Sequence, residues 1–564
     1  MSSMSDEDFQ ARTFAYAPHP DQRAATPARR PVVVVGAGPV GLALAIDLAQ
    51  RNVPVVLLDN DDRLSTGSRA ICFAKRTLEI FDRLGCGDRM AAKGVSWNVG
   101  KVFLRDEQVY RFDLLPDPGH ERPAFVNLQQ YYVEGYLVER AQQLPLVDLR
   151  WKNEVVATEP HDDHVALTIA TPDGDYRLEA DWLVACDGSR SAVRRHLGLE
   201  SRGRSFRDRF LIADVHMTHD APAERWFWFD PAFHPNQSVL LHRQPDGVWR
   251  IDFQLGWDAD PEHEKKPENI IPRVKALLAH SSAFKDAEFT LEWASVYTFS
   301  CQRMERLRHG RVLFAGDAAH GVSPFGARGA NSGVQDADNL AWKLAAVVQG
   351  RAPDALLDTY AREREAAADE NIRHSTRATD FITPKSAASR LFRDAVLALA
   401  RTHPFARTLV NSGRLSTPTT LHDSPLNTPA ADNFDGAMVP GAAAADARVT
   451  RADGHDDWLL RQLRDGFNAI VGADGATEQA LRGLAIAGFA LNVVAIAPSE
   501  ASASDTLVDR DGAVARRYDL RRGGVVLLRP DAHVCARWRT ASRAQVAAAM
   551  RHALALPEEA SPCH

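Results

Sequence analysis

An apolar run that opens into a glycine-rich turn is the feature that most constrains this chain. The four valines 32–35 are followed by a GxGxxG pattern and then by a helical pattern. A buried strand, a tight turn and a helix N-terminus together form a cradle for a pyrophosphate group. In such a cradle Gly36 permits the turn, Gly38 lets the backbone approach the phosphates, and Gly41 lets the helix pack on the strand. Pro39 and Val40 complete the motif.

A second apolar run supports the same interpretation. Residues 55–58 read Val-Val-Leu-Leu and end at Asp59, with Asn60 next to it. An acidic residue at the end of the second strand is placed to accept hydrogen bonds from the ribose hydroxyls of an adenine nucleotide. GxGxxG alone is a weak signal, but with its strand, its helix and this acid it predicts a dinucleotide-binding domain.

Two later segments repeat the arrangement of a strand followed by a polar turn. Residues 183–194 are an apolar strand, the turn Asp187-Gly188, and a short basic helix start. Residues 311–320 are a second apolar strand that ends in Gly316-Asp317. A loop with Pro324, Gly326, Gly329 and Asn331 then leads into a helix predicted from Ser332 to Val348. Each turn alone could be an ordinary strand end or a capping aspartate.

The three motifs in this order resemble the class A flavoprotein aromatic hydroxylases, which are NAD(P)H-dependent monooxygenases. The resemblance covers roughly residues 30–400 and extends to phenol hydroxylase-like and 3-(3-hydroxyphenyl)propionate hydroxylase-like members. It implies FAD as the cofactor, NADH or NADPH as the reductant, O2 as a co-substrate and an aromatic small molecule as the substrate. In this family oxygen is delivered to an electron-rich ring from a flavin C4a-hydroperoxide, and the protein supplies positioning, electrostatics and exclusion of water.

The resemblance also implies roles for individual residues. Asp317 would bind the ribityl and pyrophosphate region, and Asp187 with Gly188 would support both cofactors. Arg69, Gln130 and the backbone of Val155 match family contacts to FAD. The backbone at Gly329, Ala330 and Asn331, at the start of the predicted helix, would face the flavin edge where negative charge accumulates.

Candidates for the chemistry itself are fewer. Pro324 matches a family proline whose carbonyl faces flavin and substrate. Arg328 stands where relatives often carry Gln, and could add positive charge near reduced flavin, bind an anionic substrate or point to solvent. Tyr297 and His216 could polarise a phenol, although a lone Tyr or His on a strand is more often a core residue.

The resemblance implies an α/β fold: a Rossmann-type FAD-binding domain with an inserted antiparallel substrate sheet, then a C-terminal domain similar to the thioredoxin-like domain of phenol hydroxylase-type members. The sheet rests on alternating, aromatic-rich runs at 210–215, 226–229, 238–241 and 249–255. The tail has strands near 467–471, 490–496 and 525–534 and a final helix at 542–554. It lacks a CxxC pair, so redox thiol chemistry is not expected. The predicted boundaries are a polar N-terminal arm (1–30), the FAD-binding domain (31–204 and 301–419), the substrate-binding sheet (205–300), a connector (420–445) and the C-terminal domain (446–564).

Composition excludes several other classes. The 564 residues carry a net charge of -7, with 45% hydrophobic and 25% charged residues, as in soluble globular proteins. No basic run suggests nucleic acid or a membrane surface, and no apolar segment approaches the length of a membrane span. The six cysteines show neither CxxC nor zinc spacing, so no metal site is expected and a reducing compartment is favoured. The expected location is the cytoplasm, and a homodimer is an open alternative.

Two rival functions come from other classes. Trp226-Phe227-Trp228-Phe229-Asp230-Pro231 resembles the WxWxIP motif of flavin-dependent halogenases, but Asp230 replaces the Ile and would repel halide. A non-catalytic flavin-binding protein is the other alternative. It would reduce its FAD with NAD(P)H, but no phenol would stimulate its oxygen use.

Overall fold

The computed structural model describes residues 9–67, 69–281, 283–285, 287–410, 415, 417–499 and 505–557. Its helices are, in chain order, α1 (Pro39–Gln50), α2 (Lys75–Leu84), α3 (Gly87–Lys93), α4 (Gln130–Gln142), α5 (Ala192–His196), α6 (Pro261–Glu264), α7 (Pro267–His280), α8 (Gly329–Val348), α9 (Leu356–Ile382), α10 (Ala387–Ala400), α11 (Pro404–Val410), α12 (Ala476–Leu481), α13 (Ala513–Tyr518) and α14 (Arg543–Ala553).

The strands of the first two thirds of the chain are β1 (Ala28–Val35), β2 (Val55–Leu58), β3 (Cys72–Ala74), β4 (Val95–Trp97), β5 (Val99–Leu104), β6 (Glu107–Asp113), β7 (Phe125–Asn127), β8 (Val147–Arg150), β9 (Glu154–Pro160), β10 (Val165–Ala170), β11 (Tyr176–Ala185), β12 (Ser201–Ser205), β13 (Arg209–His216), β14 (Arg225–Phe229), β15 (Ser238–Arg243), β16 (Val248–Leu255), β17 (Thr290–Tyr297), β18 (Ser300–Met304), β19 (Arg308–His309), β20 (Val312–Phe314) and β21 (His320–Gly321). Those of the last third are β22 (Arg448–Thr450), β23 (Asp456–Trp458), β24 (Phe467–Gly472), β25 (Ala485–Ile486), β26 (Phe489–Ala497), β27 (Thr506–Val508), β28 (Val525–Leu528) and β29 (Val534–Trp538).

A parallel sheet with the order β20-β11-β1-β2-β8 forms the centre of the first domain. The valines 32–35 that open the glycine motif are all buried in it, as expected for a parallel strand covered on both faces. The polar turns that follow β1, β11 and β20 lie at the carboxyl ends of neighbouring strands, so all three motifs meet at one edge. The Rossmann-type domain is therefore confirmed.

The second large sheet has the order β17-β13-β16-β15-β14-β5-β6. All four predicted strands are present, and three of the four run antiparallel to all their partners. The prediction missed β5 and β6, which come from residues 99–113, and β14 runs parallel to β5. Those two strands lie more than 100 residues earlier in the chain, so no local pattern joins them to this sheet.

Alternation along the strands gives this sheet two chemically different faces. One face packs Leu211, Ile251 and Trp228 against the buried side of α7. The opposite face carries buried polar residues, among them Arg225, Arg250 and Asp252. Because successive side chains of a strand point to opposite faces, these polar residues lie on the face directed away from α7.

The C-terminal domain contains a sheet whose central order is β26-β24-β28-β29. Strands β24 and β26 are parallel and are connected through α12, and β28 and β29 form an antiparallel hairpin followed by α14. This is a thioredoxin-like arrangement. The single strand predicted over 525–534 is instead this hairpin, because residues 529–533 turn to bury Arg529 and Asp531. Cys535 is fully buried, and burial raises the pKa of its thiol to about 12.

The N-terminal residues differ from the predicted polar arm. Phe9 is buried against Tyr132 and Tyr136 of α4, and Phe14 stacks on Trp151 with ring centroids 4.2 Å apart. Strand β1 itself starts at Ala28. Two aromatic residues in a polar segment are enough to fix residues 9–30 to the first domain, since each buries a large apolar area.

Candidate active site

The glycine turn after β1 has the geometry that a pyrophosphate cradle needs. Gly36 has a φ of 103°, and a Cβ atom there would lie 2.5 Å from the carbonyl oxygen of Cys186. A Cβ at Gly41 would collide with the carbonyl oxygen of Gly36. A Cβ at Gly38 would meet nothing within 4 Å. Gly36 and Gly41 are therefore required by packing, whereas Gly38 leaves open space at the N-terminus of α1, which begins with Pro39 and Val40.

Asp59 braces this turn. The Ala37 N–H donates to its Oδ2 (2.6 Å) and the Asp61 N–H donates to its Oδ1 (2.8 Å). Burial raises the pKa of Asp59, and the two backbone hydrogen bonds partly oppose that shift. Each carboxylate oxygen has a further lone pair with which to accept a ribose hydroxyl. The neighbouring Asn60 is exposed.

Gln130 and Glu134 hold the loop that carries Arg69. Gln130 accepts the Ala70 N–H (3.0 Å) and donates to Glu134 (2.7 Å), which in turn accepts the Ser65 N–H (2.7 Å). Arg69 is exposed, and its carbonyl accepts from Arg250 (2.9 Å). Helix α4 begins at Gln130, so Gln130 and Glu134 lie one turn apart on the same face. No sequence motif points to Glu134.

The second motif lies beside the first. Asp187 Oδ2 accepts the Val193 N–H at the start of α5 (3.1 Å), and its Oδ1 is buried with no partner in the described part of the chain. A buried carboxylate oxygen without a partner is costly, which fits a cofactor group as the missing donor. Gly188 has a φ of 77° and open space around its Cα. Val155 is buried in β9, with its side chain in the core, so only its backbone could serve a cofactor.

The third motif is held by a buried ionic cluster that the sequence analysis missed. The Gly316 N–H donates to Asp336 (2.9 Å), whose carboxylate also lies 2.6 Å from both His320 Nε2 and Arg364 Nε. Burial alone would raise the pKa of Asp336, but the charges of His320 and Arg364 lower it. An aspartate in the buried stretch of α8 is the signal that could have revealed this cluster.

Asp317 itself lies in the turn that follows β20, at the sheet edge where the three motifs meet. Its side chain is exposed, whereas the flanking Gly316 and Ala318 are buried. The surrounding protein raises the pKa of Asp317 by desolvation, and His320 opposes that shift. Among the residues that the structure describes, none makes a hydrogen bond or ion pair with this carboxylate, which is therefore available to a bound group.

Helix α8 begins at Gly329, three residues before the predicted start, directly after a short 3₁₀ turn at Pro324–Gly326. The first N–H groups of a helix have no acceptor within it, so Gly329, Ala330 and Asn331 present a partial positive charge. The Asn331 side chain is used internally: it accepts the Ala74 N–H (2.8 Å) and donates to the carbonyl of Cys72 (2.9 Å). Asn331 therefore joins α8 to β3.

Pro324 is exposed, and its carbonyl accepts the Ala327 N–H (3.0 Å). The next carbonyl, that of Phe325, accepts from the buried Arg225 (3.0 Å). Arg225 comes from β14 and lies on the face of the second sheet opposite α7, which we call the inner face. This hydrogen bond therefore joins the inner face of the sheet to the loop before α8. Sequence analysis did not identify Arg225, which is a strand residue in an otherwise apolar run.

A cavity lies between the inner face of the second sheet, this loop and α9. Its walls are mainly aromatic and aliphatic, with several cationic side chains, and its lining residues include Tyr110, Phe112, Arg225, Phe227, Phe229, Phe325, Arg328, His374, Arg377 and Ile382. Arg328 is buried there and donates to Asn371 Oδ1 (2.8 Å). Arg328 therefore lines the cavity rather than pointing to solvent.

Neither of the two remaining predicted residues is among the residues that line the cavity. The hydroxyl of Tyr297 makes a side-chain hydrogen bond with Arg250, and burial, together with the charge of Asp252, raises the pKa of Tyr297. His216 is exposed at the other end of β13, six residues from the Phe210 that pairs with Tyr297. The structure does not bring His216 to the cavity, because strand direction separates the two ends by about 20 Å at the usual rise per residue.

The described residues include no group of three or more His, Cys, Asp or Glu side chains that could hold a metal ion. No helix among them is long and apolar enough to cross a membrane.

Comparison with known proteins agrees with this geometry. The model of the FAD binding domain family matches residues 29–375. The chain is 33% identical over 552 residues to the 6-methylpretetramide 4-monooxygenase of Streptomyces rimosus, covering 94% of this chain and 95% of that protein. It is 32% identical over 383 residues to the 3-(3-hydroxy-phenyl)propionate/3-hydroxycinnamic acid hydroxylase of Escherichia coli K12, covering 67% of each chain.

Among solved structures, the flavin-dependent monooxygenase PieE in complex with FAD and substrate superposes with a TM-score of 0.77. It covers 94% of this chain and 100% of that one at 24% identity, which shows a shared fold. A Rossmann-type cradle, an aromatic cavity beside it and these relatives define a flavoprotein monooxygenase. The chain belongs to the family of FAD-dependent aromatic hydroxylases, as the resemblance of its three motifs implies.

The halogenase alternative is not supported. Trp226 and Trp228 of the tryptophan motif pack in the cluster on the α7 side of the sheet, whereas Phe227 and Phe229 face the cavity. Asp230 accepts the Asn236 N–H (2.7 Å) and lies 3.5 Å from Arg105.

Proposed function

We propose that this enzyme hydroxylates a phenolic ring that binds in the cavity between the second sheet and α9. The observation that carries the proposal is the loop from Pro324 to Arg328. One end of this loop leads to the open N-terminus of α8 beside the FAD cradle, and its residues Phe325, Gly326 and Arg328 also line the aromatic cavity. Cofactor and ring would therefore meet at this loop.

FAD, reduced by NADH or NADPH, supplies the activation of O2. The residues around it bind and orient. The glycine turn and Asp59 would hold the pyrophosphate and ribose, Asp317 the ribityl chain, and the N-terminus of α8 the flavin edge that gains negative charge. The free Oδ1 of Asp187 is a further acceptor for the cofactor.

On the substrate side, Phe227 and Phe229 offer aromatic faces to a planar ring. Arg225 would hold a phenol oxygen in its anionic form, because it is a buried cation to which the described residues offer one acceptor, the carbonyl of Phe325. A phenolate is the more electron-rich ring, and a cation that favours it would promote electrophilic attack. Burial lowers the pKa of Arg225, so a bound anion would be stabilising there.

The test combines substrate-stimulated NAD(P)H oxidation with isotopic labelling of O2. With purified holoenzyme, a panel of phenols should stimulate NAD(P)H oxidation, and isotopically labelled O2 should place one labelled oxygen on the product ring. Product oxygen derived only from water, or a requirement for chloride, would contradict hydroxylation. Reduction of the bound FAD without stimulation by any phenol would favour a binding protein instead.

We also propose a homodimer in the cytoplasm. Support for the dimer comes from α10 and α11, where large apolar side chains face solvent: Leu391 is 73% exposed, Phe392 58% and Phe405 62%. A cluster of exposed apolar side chains is more typical of a protein–protein interface than of a surface that faces solvent. The five described cysteines are unpaired, which fits a reducing compartment.

Light scattering should therefore show a dimer, and Phe392→Glu should shift it toward monomer. Val156→Glu, which changes an exposed valine on β9, should leave the mass unchanged. A monomeric wild-type protein would contradict the dimer.

A further inference from the structure

The cavity combines apolar walls with an excess of positive charge. The cations Arg225, Arg328 and Arg377 line it beside His374, and no Asp or Glu is among the described lining residues. A cationic lining of this kind is complementary to an anionic group on the ligand.

Three of these four side chains have interactions within the protein. Arg225 donates to the carbonyl of Phe325, Arg328 donates to Asn371, and His374 lies 3.8 Å from Glu370. Arg377 differs from them. Within the described part of the chain it makes neither a hydrogen bond nor an ion pair, and the nearby Asp380 of the same helix is bound to Arg204 (3.1 Å).

The position of Arg377 suits recognition of a distal group. It lies on α9 one turn after His374 and one turn before Phe381 and Ile382, and its side chain is exposed. Arg225 comes from the sheet that forms the opposite wall. A ring packed against Phe227 and Phe229 could thus place its phenol oxygen toward Arg225 and a second substituent toward Arg377.

We propose that Arg377 binds an anionic substituent, of the carboxylate type, on the aromatic substrate. This inference rests on the proposed function, since it specifies the substrate class of the same cavity. Arg377 is a specificity-determining residue: its planar guanidinium offers the paired donors that match a carboxylate.

The test is a set of binding titrations on the oxidised holoenzyme, monitored by the perturbation of flavin absorbance. The probes are matched pairs of hydroxylated aromatic acids and their amides: meta-hydroxybenzoate, meta-hydroxyphenylpropionate and a hydroxynaphthoate, each against its amide. At least one acid should bind more tightly than its amide. Arg377→Gln should weaken binding of that acid by roughly 10-fold to 100-fold, as expected for the loss of a hydrogen bond between charged groups, and leave the amide nearly unchanged.

Two variants complete the design. Arg377→Lys keeps the positive charge but lacks the paired donors of the guanidinium, and it should restore part of the affinity for the acid. Arg373→Gln removes an exposed arginine one turn earlier on α9, outside the cavity lining, and should change neither ligand. This control separates a local contact from a change in the overall charge of the helix.

The outcomes are separable from those of the proposed function. If no acid binds more tightly than its amide, or if Arg377→Gln weakens both equally, the anion site is rejected. Because the titration needs neither reductant nor O2, acid-selective binding without ring hydroxylation would retain the anion site and reject the proposed reaction instead.

Discussion

Replacing Gly38 by alanine is expected to give a folded protein that has lost most of its FAD. Gly38 has a φ of -75°, which alanine adopts readily, and a Cβ there meets no protein atom within 4 Å. The methyl group would instead occupy the space in which the backbone approaches the pyrophosphate. Loss of one charge-assisted hydrogen bond would weaken FAD binding by roughly 10-fold to 100-fold. The ratio of flavin to protein absorbance, with a thermal unfolding curve of the apoprotein, measures both effects.

Two other glycines serve as comparisons. Gly41→Ala should fail at folding, because its Cβ would collide with the carbonyl of Gly36. Gly256→Ala places a methyl group in open space away from the cradle and should affect neither FAD content nor stability. Full FAD occupancy in Gly38→Ala would show that the pyrophosphate does not approach the turn at this residue.

Removing the charge of Glu363 is expected to destabilise the contact between the two large parts of the chain. Its fully buried carboxylate accepts from Arg529 (2.5 Å), Lys343 (2.7 Å) and Asn339 (2.7 Å), and also from Ser424. Arg529 belongs to the C-terminal domain, whereas Glu363 lies on α9. Glu363→Gln would leave two buried cations with one carboxylate, that of Asp531, at a cost of about 3–5 kcal/mol.

Denaturant unfolding of Glu363→Gln, followed by circular dichroism, measures this loss. The matched control is Asp358→Asn on the same helix, whose carboxylate pairs with Arg308 (2.9 Å) but is exposed. An exposed ion pair contributes about 0–1 kcal/mol, so Asp358→Asn should change the free energy of unfolding very little. Equal effects of the two substitutions would mean that the buried cluster does not hold the domains together.

The buried cluster around Glu363 also makes the free energy of unfolding depend on pH. Burial alone would raise the pKa of Glu363, but the charges of Arg529 and Lys343 lower it below its usual value. A carboxylate with a lowered pKa in the folded state contributes its full stability above the pKa of the unfolded chain, about 4.3, and loses it as the pH falls. The difference in stability between wild type and Glu363→Gln should therefore shrink below that pH.

The family assignment depends on residues that are close in sequence. Gly36, Gly38 and Gly41 act within one turn, and Asp59 follows at the end of the next strand, so local pattern is sufficient to find them. The same holds for Asp187-Gly188 and Gly316-Asp317, since each turn directly follows its own strand. The C-terminal domain was also predictable in class, because its strands are continuous apolar runs.

Local pattern failed where an element's role depends on distant partners. Phe9 and Phe14 fix an N-terminal segment that looks polar, and the hairpin after β28 turns in order to bury Arg529 and Asp531 against α9. Strands β5 and β6 join a sheet formed mostly by residues more than 100 positions later. Contacts of this kind have no periodic signal within a short stretch of sequence.

The sequence by itself determined the cofactor class, because a tight glycine turn and a nearby acid have few other uses. The tertiary structure alone decided which side chains surround the substrate cavity. In the tertiary structure His216 lies at the end of β13 that is distant from the cavity, and the Asn331 side chain joins α8 to β3. Arg225 and Arg377 lie on opposite walls of the cavity. The physical reason is that the periodicity of a strand or helix determines only the face on which a side chain lies. The packing of distant elements determines which residues contact that face.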